Sequence, residues 1–270
     1  MTAPHRRRLT ISLLIGAIVL VSVVAARAQP SVEELRTQAE QGDAEAQYAL
    51  GGVYSDRDGP SPRDMVEAAR WLRLAAEQGH LRAQMALATF YLVGEGVPKA
   101  PAEAERWFRR AAEQGDAQAQ HNLGHIYQGV PEPVGTDNDV PVDHAESVRW
   151  FERSAEQGHV WAAKSLAAKY RDGHGVPRDR AAAFRWFLRA AELGDVEAQG
   201  EVGTLYASGQ GVAQDDVAAY MWLDLAALQA AGENLQVLLI DREEVANRLS
   251  AEQYAEAQRR VQAWTPTRAR

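Results

Sequence analysis

The chain has 270 residues, 46% of them hydrophobic and 24% charged, with a formal net charge of −8 and no cysteine. Such a composition is globular, and the missing thiols exclude disulfides, cysteine catalysis and thiolate metal sites. Arg6, Arg7, Arg8 and Arg27 face no acid within residues 1–28, which leaves 25 basic against 37 acidic residues elsewhere, a balance that repels nucleic acid and anionic membrane surfaces.

Arg6-Arg7-Arg8 precede an apolar run from Leu9 to Ala26, and Ala26-Arg27-Ala28 follows as a small-x-small cleavage pattern. The order is that of a secretory signal peptide over residues 1–28, so the expected mature protein begins at Gln29 and is periplasmic or secreted. The alternative is an uncleaved anchor in the inner membrane through residues 9–26. No other membrane association is expected.

Five segments then begin alike, at Gly42-Asp43, Gly79-His80, Gly115-Asp116, Gly158-His159 and Gly194-Asp195. Each runs to a tyrosine (Tyr54, Tyr91, Tyr127, Tyr170, Tyr206) and then to a tryptophan (Trp71, Trp107, Trp150, Trp186, Trp222). The tryptophans are 36, 43, 36 and 36 residues apart, so the body is a repeat. Within a unit, Ala46, Ala49, Leu50, Val53 and Tyr54 mark the apolar stripe of a first helix, and Ala68, Trp71, Leu72, Ala75 and Ala76 that of a second. Gly94-Glu95-Gly96-Val97, Gly173-His174-Gly175-Val176 and Gly209-Gln210-Gly211-Val212 break the chain between them, and Asp64, Asp179 and Asp215 are placed to cap the second helix. The ten tyrosines and tryptophans are expected to form the structural core of the repeats. Units fall near 42–78, 79–114, 115–157, 158–193 and 194–231, with a partial one at 232–249, and together they make a repeat array over 31–249. Ser250-Ala251-Glu252-Gln253 is a capping box that opens a C-terminal capping helix over 250–264, ahead of a tail at 265–270.

The A-x-x-x-L-G-x-x-Y…G-x-G-V…D…A-x-x-W-x-x-x-A-A-E-x-G frame, readable in Ala83–Gly115 and Ala198–Gly232, resembles the Sel1-like repeat family over roughly residues 42–249. The resemblance implies an all-α fold, an α/α superhelical solenoid of helix-turn-helix repeats related to tetratricopeptide repeats, serving as an adaptor surface for protein complexes. Three units depart from the frame. Ser55–Pro60 replaces the first glycine loop, Ala100-Pro101 stands where the capping Asp is usual, and about seven extra residues fall within Gly129–Asp143.

Positions that vary between repeats are candidates for partner contact: Tyr48, Met85, His121, Lys164 at one register position, and His125 one turn on. Trp161 aligns with the polar Glu45, Arg82, Gln118 and Glu197, and is either a binding anchor or a surface covered by the insertion. His121 and His125 share a helix face, but no Glu follows His121 and no further ligands accompany them, so they read as groove-lining side chains and no metal is expected. The insertion carries Glu132, Asp137, Asp139 and Asp143 without the spacing of a calcium loop. With no nucleophile elbow, phosphate loop or dinucleotide fingerprint, neither catalysis nor a cofactor is expected. The expected function is an exported adaptor that binds a protein partner and scaffolds or regulates an envelope or signalling complex. The alternative is an accessory protein or hydrolase acting on cell-wall glycan.

Overall fold

The computed structural model describes residues 30–58, 63–129 and 140–267. The expected signal segment lies outside those residues, as does most of the insertion, including Glu132, Asp137 and Asp139. Thirteen helices and no strand are found among the described residues. In chain order they are α1 (Val32–Glu40), α2 (Ala44–Ser55), α3 (Met65–Glu77), α4 (Leu81–Val93), α5 (Pro101–Glu113), α6 (Ala117–Gln128), α7 (His144–Glu156), α8 (Val160–Asp172), α9 (Arg180–Glu192), α10 (Val196–Ser208), α11 (Asp216–Ala227), α12 (Gly232–Ala246) and α13 (Ala251–Ala263). From α1 to α12 each helix packs on the one before and the one after, so first helices (α2 to α12, even) form one layer and second helices the other. The all-α solenoid of the sequence pattern is what the chain adopts.

Each hairpin closes in the same way. The carbonyls of Tyr54, Tyr91, Tyr127, Tyr170 and Tyr206 accept the N–H of Asp64, Ala100, Asp143, Asp179 and Asp215, the residues that open the second helices. That bond survives the loss of a capping side chain at Ala100, where Pro101 fills the first turn, and the longer connection before Asp143. In the Gly-x-Gly-Val loops the first glycine ends the helix in left-handed backbone, at φ 79° for both Gly94 and Gly173. The second lies against the preceding repeat: a Cβ on Gly175 would stand 2.2 Å from the His144 carbonyl oxygen. Only a glycine admits that approach between successive units.

Trp71, Trp107, Trp150 and Trp222 are buried, whereas Trp186 is half-buried and Phe184 and Phe187 fill the core of its repeat. Of the five repeat tyrosines only Tyr91 is buried; the other four are half-exposed. Their hydroxyls join helices 18 residues apart, through Arg36 to Tyr54 at 2.6 Å, Arg73 to Tyr91 at 2.7 Å, Arg109 to Tyr127, and Tyr170 to Glu152 at 3.0 Å. A second ladder is anchored on four buried glutamines. The amides of Gln47, Gln84, Gln120 and Gln199 donate to the carbonyls of Ala39, Ala76, Ala112 and Ala191, and accept in turn from Gln78, Gln114, Gln157 and Gln229.

The ends differ from the middle. α1 is a second helix without a first, opened by a Ser31–Glu34 capping box. α13 begins at the Ser250–Gln253 capping box and packs on α11, not on α12, with Tyr254 bonded to Tyr220 and Trp264 edge-on to Trp222 at 6.0 Å. One register position also differs. First helices carry Gly51, Ala88, Gly124, Ala167 and Gly203 where the second helix closes in, but α12 carries Leu239. A Cβ on Gly203 would stand 2.6 Å from Leu223.

Candidate functional site

The two layers present different chemistry. On the second helices one exposed ion pair recurs at three-residue spacing: Arg70–Glu67, Arg106–Glu103 and Arg149–Glu146. Such pairs stay solvated and contribute little. The first-helix layer instead changes from repeat to repeat. Its N-cap positions already vary, with Asp43, Asp116 and Asp195 in three repeats and His80 and His159 in the other two, where a ring Nδ1 accepts the backbone N–H. The Gly-Asp and Gly-His pairs therefore open first helices as well as closing second ones.

Tyr48, Met85, His121 and Lys164 lie in one row across this layer, each half-buried. Tyr48 stacks on His80 at 4.8 Å, and Met85 packs against the core. Lys164 places its amine 4.4 Å from the Trp161 ring centroid, 3.3 Å from Asp195, and against Glu197. Trp161 itself is 61% exposed. The insertion leaves from the C-terminal end of α6 and returns at the N-terminal end of α7. Trp161 sits beside the opposite end of α6, where Gln118 meets His159 at 3.0 Å, about one helix length or ~18 Å away.

His121 belongs to a directed hydrogen-bond chain that sequence spacing did not reveal. His159 accepts from the Ala162 N–H at Nδ1, so its proton is on Nε2 and goes to Gln118 Oε1. Gln118 donates to His121 Nδ1 at 3.4 Å, and His121 Nε2 then donates to His125 Nε2 at 3.0 Å. The three links in which a ring nitrogen accepts, from Ala162, Gln118 and His121, each require that ring to be neutral. Burial favours that state: it depresses His121 to about 4, helped by His125 and His159, and it lowers His125 together with Lys169 and His159. His159 is lowered by burial against the opposing pull of Asp116. Both rings on α6 pack near Phe151, at 5.7 and 5.1 Å. Among the described residues no group of three or more His, Asp or Glu is placed to hold a metal ion, and no helix is long and apolar enough to cross a membrane.

The Sel1 repeat matches the chain five times, at residues 44–80, 81–116, 117–159, 162–195 and 196–230. A protective antigen of uropathogenic Escherichia coli, described as displaying an SLR fold, is 33% identical with a TM-score of 0.65, over 86% of this chain and 47% of that one. The chain thus spans about half the length of that antigen. A Sel1 repeat protein from Oxalobacter formigenes is 32% identical with a TM-score of 0.57, over 75% of this chain and 76% of its own. No curated protein matches the chain.

Proposed function

The chain belongs to the Sel1-repeat family, whose members generally mediate protein–protein interaction, and on that premise we propose that it is a non-catalytic adaptor whose first-helix layer holds a protein partner. The observation that carries this reading is the contrast between the layers. The second helices repeat one solvated ion pair, while the first helices vary Tyr48, Met85, His121 and Lys164 on an unvarying scaffold and expose Trp161 on the same side. A rigid surface with aromatic and cationic variety binds at small ordering cost.

The proposed place of action is outside the cytoplasm. Arg6-Arg7-Arg8, the apolar run Leu9–Ala26 and the Ala26-Arg27-Ala28 pattern support export, with cleavage before Gln29 and an inner-membrane anchor through residues 9–26 as the other outcome. There the adaptor would scaffold or regulate an envelope or signalling complex. The test is affinity capture from the envelope fraction with the native chain and with Trp161→Ala. The adaptor reading expects a protein enriched by the native chain and depleted at least several-fold with the variant. Capture of nothing by either form contradicts it.

A further inference from the structure

Three first helices send the side chain of one register position across to the start of the next. Tyr48 reaches His80, His121 stands 4.6 Å from His159, and Lys164 reaches Asp195 and Glu197. In α10 that position is Gly200, which has nothing to send. The space against α12 is left as a groove of about 500 Å³, lined by Val196, Gly200, Val237 and Leu238 and rimmed by Glu197, Glu201 and Asp241. Leu238 forms its floor, 2.9 Å from where a Cβ on Gly200 would sit. The adjoining Val237 and Ile240 are 58% and 59% exposed.

The chain already shows what fits between two such helices. One repeat upstream, Lys164 lays its stem in the layer, with only 12% of the side chain exposed, and puts its amine between two carboxylates. In the empty place, Glu201 and Asp241 have no ion-pair partner within 4.0 Å among the described residues. Burial, with Glu244 nearby, holds the Asp241 carboxyl above its ordinary value.

Resting on the adaptor reading, we propose that the Gly200 groove receives a lysine or arginine side chain of the protein partner, presented next to an aliphatic residue. The stem of the cation lies on Val196, Val237 and Leu238, its head meets Glu201 and Asp241, and the aliphatic neighbour covers Ile240.

The test uses the isotope-labelled full chain and blocked five-residue peptides, Gly-Leu-Arg-Leu-Gly and its counterparts with Glu or norleucine in place of Arg. The Arg peptide should shift the amides of Gly200, Glu201 and Asp241 with a Kd of about 1 mM or tighter, and both counterparts should bind at least tenfold more weakly. The double variant E201Q/D241N, with its helical content checked by circular dichroism, should lose at least tenfold. Gly200→Lys, which fills the groove from within, should abolish the shifts. Equal binding of the Arg and norleucine peptides, or no shift at all, overturns the proposal. If Trp161-dependent capture persists in that case, only the groove assignment falls. If capture fails while the Arg peptide still binds, the adaptor reading falls alone.

Discussion

Neutral imidazoles hold the chain from His159 through Gln118 and His121 to His125, and a proton on any ring breaks a link. His121 titrates near 4 in the folded state against 6.5 when unperturbed. Between those values the unfolded chain binds a proton that the folded chain does not, so stability rises with pH across that window and falls on acidification. Urea unfolding at pH 7.5 and 5.0 should show the native chain losing about 1–2 kcal/mol more than His121→Gln on acidification. Equal losses would show that the ring is not held neutral. The buried glutamines make a second claim at this scale. Gln120→Leu takes one of two donors from the Ala112 carbonyl, which keeps the Gly115 N–H, and the acceptor from the Gln157 amide, and should cost about 1 kcal/mol in the same assay. Repeat 4 does without both members of the pair, with Ala163 and Leu193 at the corresponding positions.

Between elements, the closing distance within a hairpin is set by one small residue. A Cβ on Gly124 would lie 2.6 Å from the Phe151 ring, whereas one on Gly52, a neighbour on the outer side of the same kind of helix, meets nothing within 4 Å. Gly124→Val should therefore destabilise by about 1–3 kcal/mol, and Gly52→Ala should be neutral or stabilise by up to about 1 kcal/mol through helix propensity. Thermal melts of the two variants decide it; similar melting points would refute the packing account. This scale also separates what the sequence makes legible from what it hides. The hairpins are readable because Trp71, Tyr91 and their counterparts repeat with an unmistakable period. α1 is hidden from the period because Glu34 stands in its tryptophan position, although Ser31-x-x-Glu34 marks its start. The glutamine ladder escaped because a polar residue on an apolar stripe gives no sign of a carbonyl waiting eight residues back. In the candidate surface, the row of Tyr48, Met85, His121 and Lys164 follows from register, but their contacts with His80, His159, Asp195 and Glu197 arise between repeats, where period carries no information about partners.

Across the whole molecule, stability is a sum over neighbouring interfaces, and an end needs a cover that the middle does not. α13 supplies it for α11 through Tyr254, Trp264 and Ala257, and Thr267 ties the chain back to the Glu192 carbonyl at 2.7 Å. A chain ending at Leu249 should melt several degrees lower and lose protection first in α11 and α12, as hydrogen exchange would show. Unchanged exchange there would mean that α13 is an appendage. The functional claim concerns one side of this array, so it is tested most directly by photo-crosslinking from both sides. A photoreactive residue placed at Glu45 or Arg82 on the first-helix layer is compared with one at Arg106 or Arg149 on the second. The first set should yield a shared, discrete protein adduct in envelope preparations and the second set none. An adduct formed equally from Arg106 and Arg149, or from no position on the first-helix layer, would contradict the account.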